Sequence, residues 1–158
     1  MKKDSEEKKK HQFCTFRIAE HIFGINILDV KEINAESDFT PIFHAPPAVK
    51  GYVNIRGQIY LILDLRLILG FKSKELDKSS RLMLFKPNVG ESFGVLVDQI
   101  GDVVKVRESE IEEDLKNIQN DSEILKKNGL NLEMGVCKLK DRLIVILNSR
   151  NLLKSIYQ

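Results

Sequence analysis

The sequence has no tryptophan and little net charge, and these two shortages disfavour nucleic-acid binding. Proteins that bind single-stranded nucleic acid stack bases on aromatic side chains within a basic groove. The formal net charge is only +2, and residues 1–10 contribute five lysines against three acids. Of the 25 cations and 23 anions, 20 of each remain outside this segment. The body of the chain is therefore neutral, and a small nucleic-acid-binding β-barrel is a weak hypothesis.

The sequence also lacks a long hydrophobic run. No apolar stretch approaches the roughly 20 residues that span a bilayer. The lysine-rich N-terminus is not followed by the apolar segment of a signal peptide. We therefore expect a cytoplasmic protein in which residues 1–11 form a disordered, charged leader and residues 155–158 form a C-terminal tail. Alternatively, the leader makes a weak electrostatic contact with a membrane surface or an acidic partner.

Cysteine is scarce. Cys14 and Cys137 lie far apart, belong to no C-x-x-C motif, and have no histidine at metal-binding spacing. Because a disulfide is not expected in a reducing compartment, both are interpreted as small buried hydrophobic residues.

Catalytic motifs are missing as well. The sequence contains no G-x-G-x-x-G, no phosphate-binding loop with Lys-Ser/Thr, and no G-x-S-x-G. The acidic residues between Glu108 and Asp114 occur on a short amphipathic segment and are interpreted as a solvated face. We therefore expect no catalysis, no metal site and no cofactor, and an unrecognised hydrolase is a remote alternative.

Alternating apolar and polar residues dominate what is present, and they predict about nine or ten short strands with few helical residues. This pattern is typical of an all-β barrel or sandwich. The predicted strands are 13–18, 23–27, 53–55, 59–65, 81–85, 92–97, 103–106, 130–139 and 143–147.

Three helical segments are predicted beside these strands. They are a short turn within residues 26–30, one or two helices within residues 109–127, and a last helix, Ser149 to Lys154, capped by Asn148. The charged loop of residues 72–80 is the predicted divide between two halves of a domain that spans residues 12–154.

One turn places an isolated cation between two apolar runs. Asn54-Ile-Arg-Gly57 is predicted to connect two strands of a hairpin, with Gly57 providing the backbone freedom of a tight turn and Arg56 exposed. An exposed arginine on such a turn usually has no function, so this feature alone does not define a site.

Three charged residues near strand ends have structural interpretations. Asp64 and Arg66 alternate with leucines and are predicted to lie on one face of a strand, where they pair with each other or with a neighbouring strand. Asp98 follows a predicted strand, and its carboxylate is expected to accept hydrogen bonds from turn amides.

Several blocks in order give a more specific indication. The blocks are Phe23-Gly-Ile-x-Ile27 with Val30-x-Glu32-Ile33, Ala45-Pro-Pro47 with Val49-x-Gly51, Asn54-Ile-Arg-Gly57, Leu63-Asp-Leu-Arg66, Phe93-Gly-Val-x-Val-Asp98 with Ile100, and Asp141-Arg-Leu-Ile-Val-Ile-Leu-Asn148. In this order and spacing, the sequence from about Phe13 to Leu153 resembles the CheW-type chemotaxis coupling proteins.

The resemblance implies two SH3-like, five-stranded β-barrel subdomains packed together with a groove between them. It also implies a non-catalytic adaptor that joins the cytoplasmic tip of membrane chemoreceptors to the regulatory domain of the chemotaxis histidine kinase. Such a protein would be recruited to receptor arrays at the inner face of the membrane and would meet the membrane only through the receptor complex. A scaffold of a non-flagellar chemosensory pathway is the alternative.

The resemblance also implies two sets of binding residues. The receptor-binding set is Val30, Glu32, Arg56, Ile100 and Val103. The kinase-binding set is Val49, Gly51 and Ile59. Core packing is the alternative role of the valines and of Ile100 in the receptor-binding set.

The sequence departs from the family pattern in three places. Ile55 replaces the leucine common in the Asn-x-Arg-Gly turn, and Tyr60-Leu61 stands where a proline-containing run is common. The polar stretch 108–131 matches poorly, so the second subdomain is least well defined there.

Overall fold

The computed structural model describes residues 10–112, 126–127 and 130–156, and most of these residues form strands. The strands are β1 (Lys10–Ile18), β2 (His21–Asn26), β3 (Val30–Asn34), β4 (Val49–Ile55), β5 (Gln58–Asp64), β6 (Arg81–Phe85), β7 (Phe93–Val97), β8 (Gln99–Arg107), β9 (Ile111–Glu112), β10 (Lys126–Lys127), β11 (Leu130–Asn131), β12 (Glu133–Leu139) and β13 (Arg142–Leu147). The helices are α1 (Leu65–Ile68) and α2 (Ser149–Lys154), with 3₁₀ turns at Ile27–Asp29 and Glu108–Glu110.

The strands form two main sheets, which confirms the predicted all-β class. One sheet has five strands in the order β3-β6-β7-β5-β4, and the other has six in the order β8-β1-β2-β13-β12-β9. Strands β5 and β7 pair in parallel, as do β2 and β13, and the other pairs are antiparallel. The sixth strand of the larger sheet is the two-residue β9, which pairs with β12. Strands β10 and β11 form a separate small pair.

The path of the chain corrects the predicted divide. The five-stranded sheet is built from residues 30–97 alone, whereas the six-stranded sheet takes β1 and β2 from one end of the chain and β8, β9, β12 and β13 from the other. The predicted divide at residues 72–80 is therefore wrong, because β5 and β6 on either side of this segment belong to the same sheet. A charged loop indicates contact with solvent and does not by itself mark a boundary.

The largest apolar core lies between the two sheets. It combines side chains of the six-stranded sheet, such as Phe16 and Phe23, with those of the five-stranded sheet, such as Phe85 and Phe93. Smaller clusters fill each sheet on its own: one includes Tyr60 and packs within the five-stranded sheet, and the other includes Ile144 and packs within the six-stranded sheet. The subdomains therefore share most of their core.

The ends of the domain extend beyond the predicted limits. Strand β1 begins at Lys10, so residues 10 and 11 belong to the sheet and not to a leader. Ile156 is buried in the central core, so the domain does not stop at residue 154. The rest of the predicted leader, residues 1–9, and residues 157–158 of the predicted tail lie outside the described residues.

A polar contact joins the two sheets at their margin. The Arg66 guanidinium forms an ion pair with Asp98, which follows β7, and both side chains are largely buried. Asp98 also accepts a hydrogen bond from the backbone N–H of Ala19 in the β1–β2 turn, at 2.8 Å, which is the predicted bonding to a turn amide. An Asp64–Arg66 ion pair is not formed, because the chain turns into α1 at Leu65 and Asp64 caps that helix by accepting the Arg66 N–H at 3.1 Å. The partner of Arg66 instead follows β7, the neighbour of β5, which agrees with the predicted alternative of a neighbouring strand.

The local helical predictions have mixed outcomes. The turn at Ile27–Asp29 and helix α2 are confirmed, and the predicted cap of α2 is provided by Asn148, which accepts the Arg150 N–H at 3.2 Å. Helices predicted within 109–127 fall mostly on residues 113–125, which lie outside the described residues. Within the described ranges, neither helix has the length and apolar character to cross a membrane.

Candidate partner-binding surface

The β4–β5 hairpin presents Arg56 at its tip. Arg56 and Gly57 form the two-residue loop between the paired residues Ile55 and Gln58, and both have positive φ, 51° and 88°. This is the geometry of a type I′ turn, whose twist matches that of the flanking strands. The Asn54 side chain accepts the Gly57 N–H at 2.8 Å and fixes the turn. The Arg56 side chain is 70% exposed, so the hairpin holds a cation in solvent on a defined backbone.

The Arg56 guanidinium donates a hydrogen bond to the Glu32 carboxylate and forms an ion pair with it. Glu32 lies on β3, which is the opposite edge of the five-stranded sheet from β4. A second link runs beside it, since Lys31 Nζ donates to the Tyr60 hydroxyl at 2.8 Å. Both links join edge strand β3 to the β4–β5 hairpin on the other side of the sheet, so the sheet is curled into a barrel and the ion pair lies at its seam.

The ion pair determines the protonation state of Glu32. The hydrogen bond from Arg56 is the main cause that lowers the pKa of Glu32, and burial opposes it only in part. The carboxylate is therefore ionised at neutral pH. The Glu32 side chain is 23% exposed and also lies 3.5 Å from the Asn34 amide. Both charged groups keep bonding capacity toward solvent, which a partner could use.

The apolar members of the predicted receptor-binding set differ in exposure. Val30 and Ile100 are half-buried against the core between the sheets, which agrees with a packing role and leaves part of each side chain accessible. Val103, on edge strand β8, is 52% exposed. The structure thus joins Glu32 to Arg56 directly, and it packs Val30 and Ile100 against the same core cluster.

Leu28 was missed by the sequence reasoning. It occupies the 3₁₀ turn just before β3 and is 68% exposed. The signal was the change from a period of two to a helical spacing at residues 26–30, which turns one apolar side chain out of the sheet. Leu28 therefore adds an accessible apolar group next to Val30.

The predicted kinase-binding residues all lie on the β4–β5 hairpin, but only one is well exposed. Ile59 is 50% exposed and Val49 is half-buried. Tyr52, which the sequence reasoning missed, is 44% exposed and lies on the same face as Ile59, because Tyr52 pairs with Leu61 two residues further along β5. Its alternation with buried neighbours was the available signal.

Gly51 is buried and has a structural role. Its φ is 144°, and an added Cβ would lie 2.5 Å from the Thr40 carbonyl oxygen. Thr40 and Tyr52 form an isolated β-bridge there. Glycine therefore lets the segment at Thr40 approach β4 and shapes the surface beside it, while a kinase contact of Gly51 stays a prediction.

The fold and these motifs define a β-rich domain of one known class. A family model for the CheW-like domain matches residues 12–157, so the chain belongs to the CheW-like domain family. The chain is similar to the chemotaxis protein CheW of Helicobacter pylori, with 26% identity over 152 residues that cover 96% of this chain and 87% of the relative. It is also similar to the chemotaxis protein CheW of Thermotoga maritima, with 26% identity over 156 residues covering 99% and 96%.

A solved structure shares the fold. The crystal structure of the scaffolding protein TtCheW from Thermoanaerobacter tengcongensis superposes with a TM-score of 0.73, covers 90% of this chain and 91% of its own, and is 24% identical in sequence. This similarity confirms the predicted pair of SH3-like subdomains.

Proposed function

We propose that the chain is a non-catalytic adaptor that couples membrane chemoreceptors to the chemotaxis histidine kinase, at receptor arrays on the cytoplasmic face of the membrane. Membership of a family whose relatives are named as chemotaxis and scaffolding proteins supports this role. The single observation that carries the receptor contact is the Glu32–Arg56 pair, held at the seam of one barrel and open to solvent. A CheW-like scaffold in a non-flagellar chemosensory pathway would use the same surface.

The receptor contact is proposed at the groove between the sheets. Val30 on β3 and Ile100 on β8 pack against the same central core, so the strands that carry Glu32 and Val103 flank that core. An amphipathic helix at a receptor tip would place its apolar stripe on Val30, Ile100 and Val103, with Leu28 as an added contact. Arg56 and Glu32 would fix its register through polar groups.

The kinase contact is proposed on the outer face of the β4–β5 hairpin. Ile59, Tyr52 and the accessible part of Val49 would provide the apolar contacts there. The two surfaces are small, so each contact is expected to be weak and to gain strength from simultaneous binding in an array. The protein would then position receptor and kinase relative to each other without catalysing a reaction.

Calorimetry with a chemoreceptor cytoplasmic fragment and with the kinase regulatory domain tests this proposal. Arg56→Glu should weaken receptor binding about tenfold, because it replaces an attractive charge with a repulsive one next to Glu32, and leave kinase binding unchanged. Ile59→Ser should weaken kinase binding and leave receptor binding unchanged. Lys72→Glu, an exposed charge reversal in the loop after α1, is the matched control.

Two results would contradict the proposal. Unchanged receptor affinity for Arg56→Glu removes the ion pair from the receptor surface. Failure of the unaltered protein to bind either partner, with the fold intact by circular dichroism, removes the adaptor function itself.

A further inference from the structure

The six-stranded sheet has an open mouth whose wall is apolar. A cavity of about 530 Å³ opens between β1, β2, β8 and the β12–β13 turn. Its wall includes Ile22, Val104, Leu139 and Ile144, which belong to the cluster that fills this sheet. Ile144 is buried, and the other three are half-buried. The mouth of a small β-barrel is a common place for a ligand, and this volume lies within the usual range for binding pockets.

The rim of this mouth is cationic. Four exposed cations line it: Arg17, Lys105, Lys140 and Arg142. The acidic residue among the lining groups is Asp102, whose backbone carbonyl accepts the Thr15 hydroxyl. Within the described ranges, none of the four cations forms an ion pair or a side-chain hydrogen bond. Like charges that converge on a concave surface raise the local concentration of anions.

The β12–β13 turn shows how one of these cations is positioned. Lys140 and Asp141 connect the paired residues Leu139 and Arg142, and both have positive φ, 47° and 63°. This two-residue loop repeats the geometry of the Arg56–Gly57 turn, with a cation again at its first position. Asparagine, aspartate or glycine adopts that conformation at lower cost than lysine. The turn therefore holds the Lys140 backbone at the rim despite a conformational penalty.

We propose that this mouth binds an acidic segment of a partner protein. One apolar side chain of the segment enters the mouth against Val104 and Leu139, and the carboxylates on either side of it contact the cationic rim. The site is on the six-stranded sheet, whereas Glu32, Arg56 and Ile59 are on the other sheet. Ile100 and Val103 of the proposed receptor contact share strand β8 with the mouth but are not among its lining residues, so the mouth is a third surface built from other side chains.

The lining favours an acidic peptide over other anions. The aromatic residue in the lining is Phe16, which is fully buried, so the mouth offers no exposed ring on which a nucleobase could stack. A free inorganic anion would leave the apolar wall unused. A short segment with an apolar residue between acidic ones matches both the charge of the rim and the character of the wall.

Fluorescence polarisation with the full chain and a fluorescein-labelled Glu-Glu-Leu-Glu-Glu peptide, at low ionic strength, tests the proposal. The peptide should bind, and Gln-Gln-Leu-Gln-Gln and Glu-Glu-Ala-Glu-Glu should each bind about tenfold more weakly, because one lacks the charges and the other lacks the apolar group. The amide chemical shifts of Gly101 and Ile144 should change in NMR spectra when the peptide is added, which would locate the bound peptide at the mouth.

Charge-reversal variants distinguish binding at the mouth from non-specific electrostatic attraction to the whole protein. Arg17→Glu with Arg142→Glu should weaken binding of the acidic peptide by about tenfold or more. Lys105→Glu with Lys140→Glu should act likewise, which guards against a folding defect in one pair. Lys78→Glu with Lys86→Glu is the control, since it changes the net charge equally at exposed positions away from the mouth.

Several outcomes would overturn the proposal. They are no binding by the unaltered protein, equal weakening by the control pair, and equal binding of the leucine and alanine peptides. Displacement of the peptide by inorganic tripolyphosphate at lower concentration than by unlabelled peptide would show a site for small phosphates instead.

Discussion

Removal of one partner from the ion pair between Arg66 and Asp98 should destabilise the whole domain. The two side chains are only 17% and 13% exposed. Asp98→Asn keeps nearly the same shape and an oxygen that can accept the Ala19 N–H, but it removes the charge. Arg66 then retains the Lys72 carbonyl, to which its Nε donates at 2.7 Å, and no carboxylate.

The expected loss follows from the burial of the pair. Breaking a fully buried ion pair by removing one partner costs about 3–5 kcal/mol, whereas exposed pairs contribute about 0–1 kcal/mol. Because a small part of each side chain still reaches solvent, we expect Asp98→Asn to lower the free energy of unfolding by about 2–4 kcal/mol. The change should weaken the contact between the two sheets, since Arg66 lies in α1, directly after β5 of one sheet, and Asp98 lies beside the β1–β2 turn of the other.

Urea unfolding followed by circular dichroism measures this free energy. Arg66→Met combined with Asp98→Asn should cost less than the sum of the two single changes, because neither partner is then left as an unpaired charge. Asp77→Asn, in the exposed Lys74–Asp77 pair, is the control and should leave the unfolding curve unchanged. A loss below about 1 kcal/mol for Asp98→Asn, or strict additivity in the cycle, would refute this reasoning.

Two further predictions concern the five-stranded sheet. Gly51→Ala should destabilise the fold by about 2–4 kcal/mol, because its φ is unfavourable and its Cβ would strike the Thr40 carbonyl. Gly57→Ala should cost less, since open space surrounds it, and equal losses in thermal unfolding would contradict the argument. Arg56→Ala should raise the pKa of Glu32 toward its ordinary value in an NMR titration, because the guanidinium is what lowers it. An unchanged pKa of Glu32 in this variant would exclude the ion pair. Since folding lowers this pKa, the stabilisation from Glu32 is present above its unfolded pKa and is lost as the pH falls through its folded pKa.

The hairpins were predictable from the sequence because their signals are local. The Asn54–Gly57 turn and the Lys140–Asp141 turn each separate two apolar segments, and both occur where expected. Helix α2 was also predicted with its observed bounds, since Asn148 is a capping residue immediately before it. Contacts between residues close in sequence leave a pattern in composition and spacing.

The long-range pairings were not predictable in this way. The parallel pairing of β13 with β2 joins residues more than a hundred positions apart, and no spacing rule indicates it. The same holds for the contact of Glu32 with Arg56, which depends on the curl of a whole sheet. Periodicity shows which face of a strand is buried, but not which strand lies beside it.

The candidate site was recovered only in part for the same reason. Arg56 is exposed because its own turn exposes it, and the sequence indicated that turn. Gly51 resembled a surface residue in the sequence, yet the approach of Thr40 buries it. Burial depends on which segments of the chain pack together, and a resemblance to a family motif does not show whether a given residue is buried.

One sheet is built from a continuous part of the chain and the other from two separate parts, and this has a consequence for folding during synthesis on the ribosome. Residues 30–97 contain every strand of one sheet, whereas β2 gains its second neighbour only when β13 has been made, more than a hundred residues later. The barrel begun first is thus finished last, and its early strands have unpaired edges in the meantime. A nascent chain of which about 110 residues have left the ribosome should already protect β4 to β7 from proteolysis while β2 remains open to cleavage or to unwanted pairing.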